Sequence, residues 1–75
     1  MNFTVISDRD AAIMAAHMEF RSHPKYEREC DDLASATAAA TRFKMDYPGP
    51  YDARVGIYPL PDNKYLVLGH WHPVD

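Results

Sequence analysis

The stretch ARVGIYPLPDNKYLVLGHWH, residues 53–72, carries the clearest structural pattern in the chain. Side chains alternate in character before and after the segment PLPDNK, which is typical of two strands joined by a turn. Pro59 and Pro61 restrict the backbone at the entrance to the turn, while Asp62 and Asn63 tolerate left-handed conformations. These residues predict a C-terminal β-hairpin over this range, with a positive φ at Asn63.

A short strand and two helices are predicted upstream of the hairpin. Residues 3–7, FTVIS, are rich in β-branched side chains and predict a strand. Acidic residues after Ser7 place the start of a first helix near Asp8, and the apolar spacing carries it to about Ser22. A second helix is predicted from Pro24 to Tyr47, with a break near Asp31 left open. Its apolar stripe would comprise Tyr26, Cys30, Leu33, Ala36 or Thr37, Ala40, Phe43 and Tyr47.

The sequence Pro48-Gly49-Pro50 ends the helical region, because neither proline can continue a helix. The resulting order is β-α-α-β-β. It predicts an α+β fold in which residues 1–75 form a single domain. We expect a three-stranded sheet with a C-terminal β-hairpin, covered on one face by helices.

Composition narrows the classes of function. The 75 residues are 47% hydrophobic and 25% charged, within the range of globular domains. The formal charge is −3 and basic residues form no cluster, which argues against direct binding of nucleic acid. No apolar run is long enough for a membrane span, and the N-terminus does not resemble a signal peptide. With Cys30 as the only cysteine, we expect a cytoplasmic protein without disulfides.

His70 and His72 form the sharpest chemical pattern. Residues two apart on a strand project from the same face, so both imidazoles could bind one metal ion. The other side chains that could complete a ligand set are His17, His23, Cys30 and several carboxylates, none at a diagnostic spacing. The alternative is that both histidines simply lie on the solvent face of the last strand.

No pattern predicts catalysis. Cys30 lies on the predicted apolar stripe beside Glu29, Asp31 and Asp32, whereas reactive cysteines lie in electropositive surroundings. A buried core thiol therefore explains Cys30 better than a nucleophile. The three glycines form no phosphate-binding loop, and no serine lies in a nucleophile elbow. We expect a protein that is not an enzyme and that needs no cofactor.

Two groups of residues are candidates for partner binding. Five tyrosines and one tryptophan exceed what so small a core can hide, and such rings are enriched in contact surfaces. On the hairpin these candidates are Tyr58, Tyr65 and Trp71. Upstream, the acidic residues Glu27, Asp31 and Asp32 could meet a basic partner, although such a run is more often a solvated helix face.

These observations favour a small non-catalytic module for protein–protein interaction. An exposed hairpin edge could add a strand from another protein or from a second copy, giving a homodimer. In architecture the acidic strand-helix-hairpin chain resembles small phage or mobile-element proteins that block host machinery, including anti-defence and polymerase inhibitors. That resemblance transfers no site residue. The alternative is a metal-binding module that uses His70 and His72.

Overall fold

The computed structural model describes residues 8–74, so the strand predicted at residues 3–7 lies outside the described residues. The elements in chain order are α1 (Asp8–Phe20), β1 (Tyr26–Cys30), α2 (Leu33–Asp46), β2 (Tyr51–Leu60), a tight turn (Pro61–Asn63) and β3 (Lys64–Pro73). The three described strands form one antiparallel sheet in the order β1-β3-β2. The α+β class with a three-stranded sheet is therefore confirmed.

The C-terminal hairpin is also confirmed, with both strands slightly longer than predicted. Val55 pairs with Gly69 near the middle of the β2–β3 ladder, and the register continues from Tyr51 to Leu60. Asp62 and Asn63 reverse the chain with φ values of 63° and 59°. Positive φ was predicted at Asn63, and the tight turn requires it at Asp62 as well.

β3 is the central strand and is buried on both faces. All residues from Leu66 to His70 are buried. Leu66 and Leu68 pack against α1, whereas Val67 packs against α2 from the other side of the sheet. The expectation that both helices cover one face is corrected: one helix lies on each face. The continuous apolar run YLVL is typical of a strand buried on both sides, not of an alternating one.

The predicted second helix begins later than expected, because Tyr26–Cys30 forms β1. Tyr26 and Cys30 are four residues apart, a spacing that places two side chains on one face of a strand as well as of a helix. The structure separates strand from helix at Asp32, whose Oδ1 accepts a hydrogen bond from the Ser35 N–H at 2.6 Å. This N-cap fixes the start of α2.

α2 lies close to the sheet because the residues that face it are small. Ala36 and Ala39 are buried, and Leu33, predicted on the apolar stripe, is 53% exposed. Phe43 packs directly over Gly69. A Cβ atom at residue 69 would lie 2.7 Å from the Phe43 ring, so the close approach requires glycine at this position.

α1 crosses the opposite face and is held at both ends. Ala12, Ala16 and Phe20 form its buried side. Near its start Arg9 forms an ion pair with Glu27 of β1, and near its end Glu19 accepts a hydrogen bond of 2.7 Å from the Tyr58 hydroxyl of β2. Burial raises the pKa of the Tyr58 phenol well above its ordinary value, and the Glu19 carboxylate raises it further. α1 therefore links the two outer strands.

Candidate functional site

Three aromatic side chains meet where α2, β2 and β3 end together. Tyr47 follows the last residue of α2, Tyr51 begins β2, and Trp71 lies near the end of β3. The bend at residues 48–50 reverses the chain between the two tyrosines, and the hairpin register places Trp71 opposite Ala53. We call Tyr47, Tyr51 and Trp71 the aromatic cluster.

The rings of the aromatic cluster are in direct contact. Tyr47 and Trp71 are stacked, with centroids 4.9 Å apart and planes inclined by 13°. Tyr51 meets both rings edge-on, with centroids 5.8 Å from Tyr47 and 5.7 Å from Trp71. Each such pair contributes about 0.5–1.5 kcal/mol beyond the area that it buries. The cluster is therefore an ordered surface feature.

Lys25 adds a positive charge to this surface. Its Nζ lies 4.5 Å from the centroid of the Trp71 ring and donates a hydrogen bond of 3.1 Å to the Trp71 carbonyl. A cation over an indole face is attracted by the negative potential of the ring. The exposed surface around Trp71 therefore combines aromatic carbon with one cation.

The cluster is anchored to the core and open to solvent. Phe43 connects it inward, since its centroid lies 5.1 Å from that of Tyr47 and 5.0 Å from that of Tyr26. Outward, Tyr51 is 39% exposed and Val74 is 55% exposed. Val74 is tied to the same end of the sheet by a hydrogen bond from its N–H to the Pro50 carbonyl. A partly apolar surface results, connected to the core through Phe43.

The structure brings only one of the predicted partner-binding residues into this cluster, namely Trp71. Tyr58 packs against α1 and Tyr65 against α2, so these two tyrosines lie on opposite faces of the sheet. They are half-buried core residues. The hairpin tyrosines therefore do not form one surface.

The acidic candidates also have separate local roles. Glu27 pairs with Arg9, Asp31 is exposed in the turn after β1, and Asp32 caps α2. The hydrogen bond from Ser35 holds the pKa of the Asp32 carboxyl below its ordinary value. Glu27 lies on a strand rather than on the predicted helix, so the three carboxylates do not share a helix face.

His70 and His72 project from one face of β3, as their spacing predicted, with ring centroids 5.6 Å apart. His70 is buried, and no residue in the described range 8–74 forms a hydrogen bond with its Nδ1. Burial lowers the pKa of His70, and the nearby His23 backbone partly opposes this shift. His72 is exposed beside Asp52, with Nε2 and Oδ2 3.6 Å apart.

A metal site would need further ligands near this pair. Within residues 8–74, no three histidine, cysteine, aspartate or glutamate side chains converge in a way that could hold a metal ion. His17 and His23 contact each other, with ring centroids 6.0 Å apart, beside an apolar recess lined by Met14 and Met18. Cys30 lies in the core on the α2 face.

Sequence reasoning missed Tyr47, Tyr51 and Lys25 as site residues. A signal for the two tyrosines existed: they flank Pro48-Gly49-Pro50, and a chain reversal there brings its flanking residues together. Lys25 had no such signal. Its position over Trp71 depends on β1 pairing with β3, which the predicted helix did not include.

Comparison with protein-family models, curated proteins and solved structures finds no match for this chain. None of the helices within residues 8–74 has the length and apolar character needed to cross a membrane.

Proposed function

We propose that the chain is a small non-catalytic protein–protein interaction module that binds another protein at the aromatic cluster. The observation that carries this proposal is the stacked Tyr47–Trp71 pair, with Tyr51 at its edge and Lys25 above it. Preordered aromatic side chains lose little conformational entropy on binding, and such residues dominate many interfaces.

The surroundings of the cluster support a protein partner. Tyr51 and Val74 expose apolar surface beside the cation of Lys25, and this mixture suits a partner segment that presents both apolar and acidic side chains. The overall charge of −3 disfavours a nucleic-acid partner. Cys30 as the only cysteine, buried, fits a cytoplasmic location.

The experiment is a comparison of matched variants. A tagged chain is used to capture binding proteins from the cells that express it, and the affinity of each captured protein is then measured in purified form. Tyr51→Ala should weaken binding by at least about tenfold, a loss of roughly 1.4 kcal/mol at an interface residue. Met18→Ala, which alters a methionine that is 79% exposed on α1, should leave the affinity unchanged.

Equal affinities for the unaltered chain and for Tyr51→Ala would refute binding at the aromatic cluster. Circular dichroism must show that both variants keep the fold. Trp71→Phe gives a second reading, because it keeps an aromatic ring at this position while reducing the area that Tyr47 and Lys25 contact. We expect Trp71→Phe to weaken binding more than Met18→Ala and less than Tyr51→Ala.

The finer form of the proposal is an inhibitor from a phage or mobile element that blocks host machinery, of the anti-defence or polymerase-inhibitor type. It rests on the small size, the acidic charge and the α+β architecture. The captured partner would then be a bacterial nuclease or polymerase whose activity falls on addition of the chain. A captured partner outside these classes, or one with unchanged activity, would reject this form.

Metal binding at His70 and His72 is the second candidate. The observation in its favour is the buried His70 Nδ1, which lacks a partner among residues 8–74 and lies on the same face as His72. If a metal stabilises the fold, added zinc should raise the melting temperature and an added chelator should lower it. A melting temperature that responds to neither reagent would eliminate this candidate.

A further inference from the structure

We infer that the outer edge of β2 binds the same edge of a second copy of this chain, forming a two-fold antiparallel pair centred on Gly56. This surface is distinct from the aromatic cluster, so the inference does not depend on the proposed function. β2 is an outer strand among the three described strands, with β3 on its inner side.

Three observations show which backbone groups of β2 face outward. The Gly69 carbonyl accepts a hydrogen bond from the Lys25 N–H, so the backbone groups of Gly69 face β1. Val55 pairs with Gly69 in the β2–β3 ladder, and its backbone N–H and C=O therefore face away from β3. The Ala53 carbonyl accepts a hydrogen bond of 2.6 Å from Lys44 Nζ. Pro59 alternates with Val55 and Ile57 along β2, so its nitrogen also faces outward. Proline has no N–H to donate, and an outward position on an edge strand tolerates it.

In one register, the outward backbone donors of one copy meet the outward backbone acceptors of the second copy. About a two-fold axis at Gly56, Val55 of one copy faces Ile57 of the other, and each pair exchanges two N–H···O=C bonds. Ala53 then faces Pro59. Ala53 offers its N–H while its carbonyl is already held by Lys44, and Pro59 offers only a carbonyl. In this register no outward donor from Ala53 to Pro59 is left without an acceptor.

The side chains fit the same register. Val55 and Ile57 lie on the α2 face, where a β-branched pair is favourable across antiparallel strands. On the α1 face Arg54 would face Tyr58, whose hydroxyl donates to Glu19, so a cation meets a carboxylate. Gly56 faces its own copy and presents no side chain to the axis.

A recess at the β2 edge gives the second strand room. It has a volume of about 300 Å³ and is lined by Glu19, Phe20, Lys44, Ala53, Arg54 and Val55. In the inferred register, residues 57–59 of the second copy pass along this part of the edge. The recess therefore leaves space for the backbone of this segment at the edge.

The first test is the oligomeric state, measured by analytical ultracentrifugation. The unaltered chain should sediment as a dimer, and Val55→Pro should sediment as a folded monomer because it removes an outward donor without touching the β2–β3 ladder. Glu29→Pro, at an outward position of β1, should stay dimeric. A chain that is monomeric at roughly 1 mM, the weak end of association, overturns the inference, as does a dimeric Val55→Pro.

The second test fixes the register. Directly paired residues have Cα atoms about 5.5 Å apart, within the roughly 4.4–6.8 Å that a disulfide spans. Val55→Cys and Ile57→Cys chains should therefore cross-link when mixed under mild oxidation, whereas each alone should not, since diagonal residues lie about 7–8 Å apart. Cross-linking of either variant alone, without cross-linking of the mixture, overturns the register.

Hydrogen exchange separates the other possible occupants of this edge. Slow exchange at the Val55 and Ile57 amides in a monomeric chain would assign the edge to another segment of the same chain. Fast exchange there at every concentration would leave the edge unoccupied. Each of these results overturns the inference.

Discussion

The two outer strands of the sheet differ in how they expose their backbone. β1 is short, and the residues whose backbone groups face outward, Glu27 and Glu29, carry charged side chains, one of them paired with Arg9. β2 is twice as long, and the backbone groups of Val55 and Ile57 face outward from it. Charged, short edges resist strand addition, whereas long β-branched edges favour it. A single small sheet thus has one protected edge and one edge suited to pairing.

The largest expected effect comes from a proline in the central strand. Val67→Pro removes the backbone N–H of a residue on β3, the strand that lies between the two outer strands, and it distorts packing on the α2 face. Each of these two effects should lower the free energy of unfolding by about 1–3 kcal/mol. A domain of this size has only about 3–5 kcal/mol of stability, so the chain should unfold.

Glu29→Pro is the matched edge variant, since its N–H faces outward on β1. It should remain folded, with a thermal transition in circular dichroism close to that of the unaltered chain. If both proline variants fold equally well, the assignment of inward and outward groups is wrong and the comparison of the edges fails.

Gly69→Ala tests the packing of Phe43 over the central strand that separates the two edges. The added Cβ would lie 2.7 Å from the buried Phe43 ring, which Tyr26 and Tyr47 hold in place, so we expect a loss of about 1–3 kcal/mol. Gly49→Ala meets nothing within 4 Å and should change stability by less than about 0.5 kcal/mol. Urea unfolding gives both values, and equal losses would contradict the packing described.

Tyr58→Phe loosens the attachment of α1 to β2. It removes the hydrogen bond to Glu19, at about 1 kcal/mol. Tyr65→Phe is the control, because no residue among 8–74 bonds to the Tyr65 hydroxyl. Thermal unfolding should rank the unaltered chain and Tyr65→Phe together above Tyr58→Phe. A loss in Tyr65→Phe equal to that in Tyr58→Phe would contradict this.

The smallest effect concerns the pH dependence set by His70, which lies between the two edges. Burial lowers its pKa in the folded chain below the ordinary value of 6.5, so the unfolded chain binds the proton more readily. Stability should therefore decline as the pH falls through 6.5. His70→Gln should flatten this slope in urea unfolding measured between pH 5 and pH 8, and an unchanged slope would exclude His70 as its source.

Much of the hairpin could be predicted from the sequence, because proline and positive-φ residues mark its turn and β-branched residues mark its strands. β1 could not, since the spacing of Tyr26 and Cys30 fits a helix and a strand equally well. Asp32 was an available N-cap signal that would have placed the start of α2, because its side chain can accept a backbone N–H of the first helical turn.

The candidate site was less predictable than the fold. Trp71 was identified from its residue type, but its contacts with Tyr47 and Lys25 depend on tertiary pairing between distant elements. The helices lie on opposite faces because β3 is apolar at consecutive positions, and that arrangement separates Tyr58 from Tyr65. Side-chain type therefore indicated candidates, and only topology showed which of them meet.

Amide hydrogen exchange at the two edges tests the central comparison most directly. The Val55 and Ile57 amides should exchange quickly in dilute solution and progressively more slowly as the protein concentration rises and the dimer forms. The Glu27 and Glu29 amides of β1 should exchange quickly at every concentration. Equal protection of both edges, or concentration-dependent protection of β1 alone, would contradict the account.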